Sequence, residues 1–295
     1  MYDLNIAWSP STTPDQLLQI LTLAASLGYA TVALNHSLTQ PIPATPTAPF
    51  PSTSTLKAPN SKIPNILHRA TIPLSDPAAP GFRLQTLVAA YDLLAIRPTT
   101  DKAFQNACLT LDVPLISLDL SQHIPFHFKP KTCMTAVSRG VRFEICYAQA
   151  LAADLRGRAA FIGNVNNLVR ATRGRGIILS SEAKDALSLR APADVVNLLS
   201  VWSLPSEKGM LGLGALPRGV VVNEGIKRSG FRGVVDVVEV AKRDDEGEAA
   251  EGGKNKNNKG QNPKRKGGDE DSQAISKRQA KKMKLASRGA ALEKK

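Results

Sequence analysis

Aromatic side chains are scarce in this sequence: Phe, Tyr and Trp together make up 5% of its 295 residues. That argues against sequence-specific reading of single strands on a stacking platform, which needs several exposed rings. Cysteine is scarcer still. Cys108, Cys133 and Cys146 form no CxxC pair, and an odd count without metal spacing points to free, buried thiols in a reducing compartment. The histidines are His36, His68, His123 and His127, and none belongs to a His-Glu-x-x-His pattern. Pro125 separates His123 from His127 and keeps them off a shared helix face, so no zinc site is read here. No apolar run approaches the roughly 18 residues of a membrane span. The opening MYDLNIA lacks a basic segment followed by an apolar one, so no secretory signal is expected. A G-x-S-x-G elbow and a Walker A loop are also missing. Gly212-x-Gly214 with Gly219 does not fit G-x-G-x-x-G and reads as a turn.

What the chain has is positive charge. Lys and Arg number 38 against 25 Asp and Glu, a net of +13, which favours a polyanionic partner, with nucleic acid first and an acidic membrane surface second. Residues 242–295 hold 16 cations against 9 acids, and residues 1–241 hold 22 against 16. The body is therefore only mildly basic, as expected of a scaffold that touches RNA over part of its surface.

A strand-then-helix rhythm runs to about residue 204. Short β-rich segments read at 2–7, 29–35, 66–72, 91–97, 115–120, 141–145 and 176–181. Helices are expected from Thr13-Pro14 to Gly28, from Thr100, from Pro130 to Gly140, over 148–173 with a break at Gly163, and from Pro192. Seven such alternations predict a parallel sheet with crossover helices. Period 2 distinguishes a closed barrel from an open sheet. Ile116, Leu118 and Leu120 oppose Ser117 and Asp119; Val141, Phe143 and Ile145 oppose Arg142 and Glu144; Leu4 and Ile6 oppose Asp3 and Asn5. An open parallel sheet is covered on both faces and should be apolar on both. One polar face suits a TIM-like βα barrel of about seven parallel strands, with the polar face lining its interior or mouth. The barrel domain is set at 1–241. It carries a Pro-rich inserted loop at 39–64, with seven prolines, followed by a disordered basic tail at 242–295. Residues 205–241 are ambiguous, with 233–240 strand-like.

Enzymes of this architecture work at the barrel mouth. Asp119 and Glu144, near the ends of adjacent strands, are candidates for a metal site or an acid–base pair. The competing reading makes Asp119, Arg142 and Glu144 a self-neutralised interior network, because buried charges must be paired. Cations cluster at element ends: Arg97, Lys129, Lys131, Arg139, Arg156, Arg158, Arg170, Arg173, Arg175 and Arg190. As a group they are candidates for RNA phosphate contacts, and each such contact would steepen the salt dependence of binding. In the tail, Lys264, Arg265 and Lys266 precede Lys277, Arg278, Lys281, Lys282 and Lys284. A ten-residue spacer separates the two groups. This is a two-part nuclear-import pattern, or alternatively an RNA-binding arm.

Several blocks resemble one family, the thirty-kilodalton subunit of eukaryotic and archaeal ribonuclease P. They include YDLNI at 2–6, GYATVALNH at 28–36 and YDLLAIRPTTDKAFQNAC at 91–108. The most specific are Arg139-Gly140 with Phe143-Glu144-Ile145 and Tyr147, and Ser180-Ser181 followed by Leu189-Arg190, Pro192, Asp194-Val195 and Asn197-Leu198. The resemblance spans about 1–204; the Pro-rich loop and the tail depart from it. It implies a seven-stranded barrel shaped like a class of metal-dependent phosphoesterases but without their metal site. It further implies a non-catalytic, cofactor-free subunit of nuclear ribonuclease P and ribonuclease MRP, with the nucleolus as the expected location. The RNA of that assembly would cut precursor tRNA at the 5′ end, and the MRP form would act in pre-rRNA processing. Implied partners are that catalytic RNA, a small α/β Pop-type subunit, the other holoenzyme proteins and, indirectly, precursor tRNA, with no membrane. The rival from another class is a barrel phosphoesterase using Asp119 and Glu144.

Overall fold

The computed structural model describes residues 1–39, 47–51, 63–76 and 84–229. The tail with its import pattern, the strand-like 233–240, the expected domain boundary at 241 and most of the Pro-rich loop lie outside the described residues.

Seven parallel strands form one sheet in sequence order: β1 (Tyr2–Trp8), β2 (Thr31–Ser37), β3 (Asn65–Leu74), β4 (Leu93–Pro98), β5 (Leu115–Ser117), β6 (Arg142–Cys146) and β7 (Ile177–Ser180). The sheet curls into a nearly closed TIM-like barrel, with β7 approaching β1. The seam is not an ordinary ladder. Residues just past β7 occupy the place of an eighth strand: the Glu182 N–H donates to the Asn5 carbonyl at 2.6 Å, and the Ala7 N–H donates to the Ala183 carbonyl at 3.0 Å.

Helices surround the barrel: α1 (Pro14–Ser26), α2 (Leu84–Ala90), α3 (Asp101–Leu109), α4 (Pro130–Ser138), α5 (Tyr147–Ala152), α6 (Leu155–Thr172) and α7 (Pro192–Val201). Local chemistry fixes their starts. Thr13 and Gln16 form a reciprocal capping box ahead of Pro14. Thr100 accepts from the Ala103 N–H, and Asp154 accepts from the Gly157 N–H. Asp154 therefore starts a new helix, and the break expected at Gly163 falls at Ala153–Asp154 instead. Among the described residues no helix covers the β2–β3 crossover. Phe50 of the Pro-rich loop packs there, 4.9 Å from the Trp8 ring and 4.5 Å from the His68 ring, centroid to centroid.

Outward-facing residues such as Leu34, Ile72, Ile96, Ile116, Phe143 and Leu179 meet the helices in the main core. The inward face has two layers. The lower one is apolar: Leu4, Ala33, Leu93, Ala95, Leu115 and Ile178. The upper one is polar and holds Asn5, Asn35, Arg69, Thr71, Ser117, Glu144 and Ser180, all buried. In β1 the expected face-sharing of Leu4 and Ile6 fails. The register shifts between Asp3 and Ile6, so Leu4 joins the inner layer and Ile6 the outer core.

Residues 206–229, ambiguous from sequence, are helices α8 (Ser206–Leu213) and α9 (Ala215–Ser229). The turn expected at Gly212 is the end of α8. A side chain at Gly212 would meet the Ile177 carbonyl at 2.9 Å, so glycine lets α8 press on β7. Helix α9 brings Val220, with Leu216 and Val221 beside it, against the lower layer and closes the barrel floor.

Candidate nucleic-acid interface

The upper interior layer is built around one ion pair. The Arg69 guanidinium from β3 reaches across the barrel to Glu144 on β6 and binds it with both terminal nitrogens, at 2.5 and 2.6 Å. Both side chains are fully buried. Arg69 also donates to the Leu4 carbonyl at 2.6 Å. Glu144 further accepts from Ser180 Oγ at 2.7 Å and from Asn5 Nδ2 at 3.2 Å. Asn35 donates to Asn5, and Thr71 donates to Asn35, which extends the network over β1, β2 and β3. Burial alone would raise the Glu144 pKa. The Arg69 charge, with Ser117 and Ser180 donating, outweighs it and holds the carboxyl at about 2. A bidentate pair with its remaining lone pairs satisfied is the form in which a buried charge is tolerated.

The expected trio of Asp119, Arg142 and Glu144 is thus not a unit. Glu144 takes its cation from Arg69, a residue that nothing local in the sequence pairs with it. Arg142, at the start of β6, is half-buried near Gly176 and Val137. Asp119 lies at the mouth, where its Oδ1 accepts from the Ser121 backbone and hydroxyl at 3.1 and 2.6 Å. Among the described residues no group of three His, Cys, Asp or Glu could hold a metal ion.

The mouth holds a cavity of about 510 Å³ lined by Asp119, Asp154, Glu182 and Asp185 against Arg97 and Lys184. Arg97 donates to Glu182 at 2.7 Å, and Gln149 donates to the other Glu182 oxygen at 2.6 Å. Glu182 sits at φ 56°, a strained backbone held by these contacts and by its own N–H bond to Asn5. Neither Glu182 nor Gln149 stood out in the sequence.

The ten candidate RNA-contacting cations divide between the two ends of the barrel. Arg97, Lys129, Lys131, Arg156, Arg158 and Arg190 lie at strand ends or helix starts, on the mouth side. Arg139, Arg170, Arg173 and Arg175 lie at helix ends or strand starts, on the floor side. They also divide by occupation. Arg139 donates to the carbonyls of Cys108, Thr110 and Leu111 at the end of α3. Arg158 binds the Ala150 and Ala153 carbonyls, and Arg190 those of Leu187 and Leu189. Arg97 has Glu182, and Lys129 lies 3.9 Å from Asp101. Lys131, Arg156, Arg170, Arg173 and Arg175 are exposed, and their side chains make no ion pair or hydrogen bond among the described residues. Four of these five lie on α6 or in the turn after it.

Fold and sites together define a TIM-like α/β barrel whose polar interior is built on one buried ion pair and whose exposed arginines without a partner among the described residues include four on α6 and the turn after it. The chain belongs to the RNase P subunit p30 family, whose model matches residues 1–229. It is 32% identical to probable ribonuclease P protein subunit 3 of Schizosaccharomyces pombe, over 79% of this chain and 97% of that protein. It is also 32% identical to ribonuclease P protein subunit p30 of Mus musculus, over 74% and 84% respectively. Ribonuclease P/MRP protein subunit RPP1 of Saccharomyces cerevisiae is 27% identical over 76% of this chain. Among solved structures, a chain from a cryo-EM structure of archaeal ribonuclease P with mature tRNA has the same fold. The TM-score is 0.61 at 13% identity, covering 82% of this chain and 100% of that one.

Proposed function

We propose that this protein is a non-catalytic subunit of ribonuclease P and ribonuclease MRP, bracing the RNA that cuts precursor tRNA at its 5′ end. The observation that carries this reading is the family match over 1–229, which takes in every described strand and helix. The interior chemistry supports it. A phosphoesterase built on Glu144 would need a carboxylate free to ligate or to accept a proton, and both Glu144 oxygens are occupied by Arg69, Ser180 and Asn5. Asp119 is engaged with its own loop.

The finer reading assigns catalysis to the RNA, a small α/β Pop-type subunit as a protein partner, and the nucleolus as the place of assembly. Purified protein incubated with precursor tRNA and Mg²⁺ or Mn²⁺ should not cleave it. Cleavage should appear after reconstitution with the RNA and the partner proteins. Metal-dependent cleavage by the protein alone, abolished by Glu144→Ala, would restore the phosphoesterase. The basic groups at 264–266 and 277–284 are read as the import signal. Deleting 262–288 should leave the fold intact and displace the protein from nuclei; unchanged import would remove that assignment.

A further inference from the structure

The exposed edge of α6 is one wall of a continuous groove. Two adjoining cavities of about 440 and 690 Å³ share His123, Asn164 and Asn167. The opposite wall is the loop between β5 and α4, and it is fixed in place. Asn164 Nδ2 donates to the Leu120 and Gln122 carbonyls at 2.9 and 3.0 Å, and Phe126 stacks on Phe104 with ring centroids 4.7 Å apart. Small residues keep the α6 side low. A side chain at Gly157 would press on Asp154 and the Ser121 carbonyl, whereas one at Gly163 would meet nothing within 4 Å.

Charge says what the groove takes. Arg156 lines one end and Arg170 the other, roughly 21 Å apart along the helix at about 1.5 Å per residue. Neither has an ion-pair partner among the described residues. Exposed His123, His127 and Asn167 supply hydrogen-bonding groups between them. The acid in the lining, Asp154, already accepts from the Gly157 N–H at 2.7 Å. The mouth cavity has the opposite balance, four carboxylates against two cations, and would repel a phosphate chain. Beyond Arg170 the free cations continue through Arg173 and Arg175.

We propose that this groove along α6 binds one strand of RNA backbone, with Arg156 and Arg170 on phosphates and Asn167, His123 and His127 toward ribose hydroxyls. This assignment rests on the RNA-bracing reading above and narrows it to one face. It predicts ribose-dependent contacts, because the 2′-hydroxyl is what separates RNA from DNA at such a site.

The test uses the full-length chain reconstituted with the RNA subunit and partner proteins. Gly163→Glu places an anion in the groove at a position with open space, and glycine is a poor helix former, so the fold should hold. RNA association should fall at least tenfold with the thermal midpoint kept, while Gly219→Glu on α9, also in open space, should bind as the unsubstituted protein does. Arg156→Gln with Arg170→Gln should flatten the salt slope by about 1.4–1.8, two phosphates at roughly 0.7–0.9 each. The three native cysteines are buried, so a hydroxyl-radical source tethered to the Gly163→Cys variant should cut the RNA over one confined stretch. Unchanged RNA affinity in Gly163→Glu, or no cutting in the assembled complex, overturns the proposal. Loss of a protein partner with RNA binding intact also overturns it and makes the groove a protein surface. Failure of the unsubstituted protein to join the RNA at all would instead overturn the family-level reading.

Discussion

Two regions of this molecule hold arginines, and they treat them in opposite ways. In the barrel interior, Arg69 is fully buried and its two terminal nitrogens are bound by Glu144 and the Leu4 carbonyl. Along α6, Arg156, Arg170, Arg173 and Arg175 stand in solvent without a partner among the described residues. A buried cation must be cancelled by its own chain, because desolvation costs several kcal/mol per ion. An exposed cation costs little to leave free, and it gains most when it displaces the counterions condensed on a polyanion. The interior arginine therefore belongs to folding, whereas the flank arginines are the ones we propose for association.

The sharpest way to break this contrast is at the interior pair. Arg69→Ala leaves Glu144 buried and unpaired and should cost about 3–5 kcal/mol in urea unfolding. Arg69→Met with Glu144→Leu removes both charges and should recover most of that loss. If the double variant is as unstable as the single one, the pair does not carry the stability assigned to it.

Proton titration gives a second, somewhat smaller test with two signs. Glu144 is held at about 2, below its ordinary 4.5, so its stabilising effect is present above 4.5 and drains away as pH falls toward 2. Asp3 is the reverse. Burial lifts its pKa from 3.8 to about 6, against hydrogen bonds from Ser181 and Asn5 that pull it down. Its favourable contribution is complete below 3.8 and is lost as pH rises through 6. Each effect is on the order of 3 kcal/mol. Asp3 Oδ1 accepts from the Asn5 and Ser181 N–H groups while Oδ2 has no partner among the described residues. Asp3→Asn should therefore raise the melting temperature at pH 8 and leave it nearly unchanged at pH 4. Equal shifts at both pH values would show that Asp3 does not ionise across this range.

Between the two regions stands Arg139, exposed yet engaged with three carbonyls at the end of α3. Arg139→Ala should cost about 1 kcal/mol and leave the salt slope of RNA binding untouched. A flattened slope would move it among the association residues. The smallest stability effect is expected at the turn after α6. Arg173→Gln with Arg175→Gln should stay within about 0.5 kcal/mol in unfolding, while RNA association weakens and its salt slope flattens; an unaltered slope would place both on idle surface.

The strands were legible because period 2 is local: Val141, Phe143 and Ile145 against Arg142 and Glu144 needs only five residues. Capping chemistry made α1 and α3 legible for the same reason, and Pro130 and Gly140 marked the two ends of α4. The interior pair was not legible, since Arg69 and Glu144 are 75 residues apart and meet only when the barrel curls. A signal did exist. Arg69 stands alone in the apolar run ILHRATI, on the same face as Thr71, and an arginine there must find a carboxylate. The break in the helix around residue 154 is also marked locally, by the Asp154 cap, while Gly163 lies inside α6 without ending it. Helix α9 was hidden by Gly214, Pro217, Gly219 and Gly225, which lower its intrinsic propensity. Its place is set by the apolar layer beneath which it packs. Which cations stay free could not be read at all, because engagement depends on which carbonyl or carboxylate folding brings nearby.

The position of α9 also bears on how the protein is made. Every strand has been synthesised by residue 180, yet the plug for their lower end, Val220 with its neighbours, comes roughly forty residues later. Until the ribosome has released that stretch, a nascent chain can assemble the staves of the cylinder but cannot shut it. A message truncated before residue 215 would yield a product with all seven strands and an open, oily base, and such a product should be a ready target for chaperones and proteases.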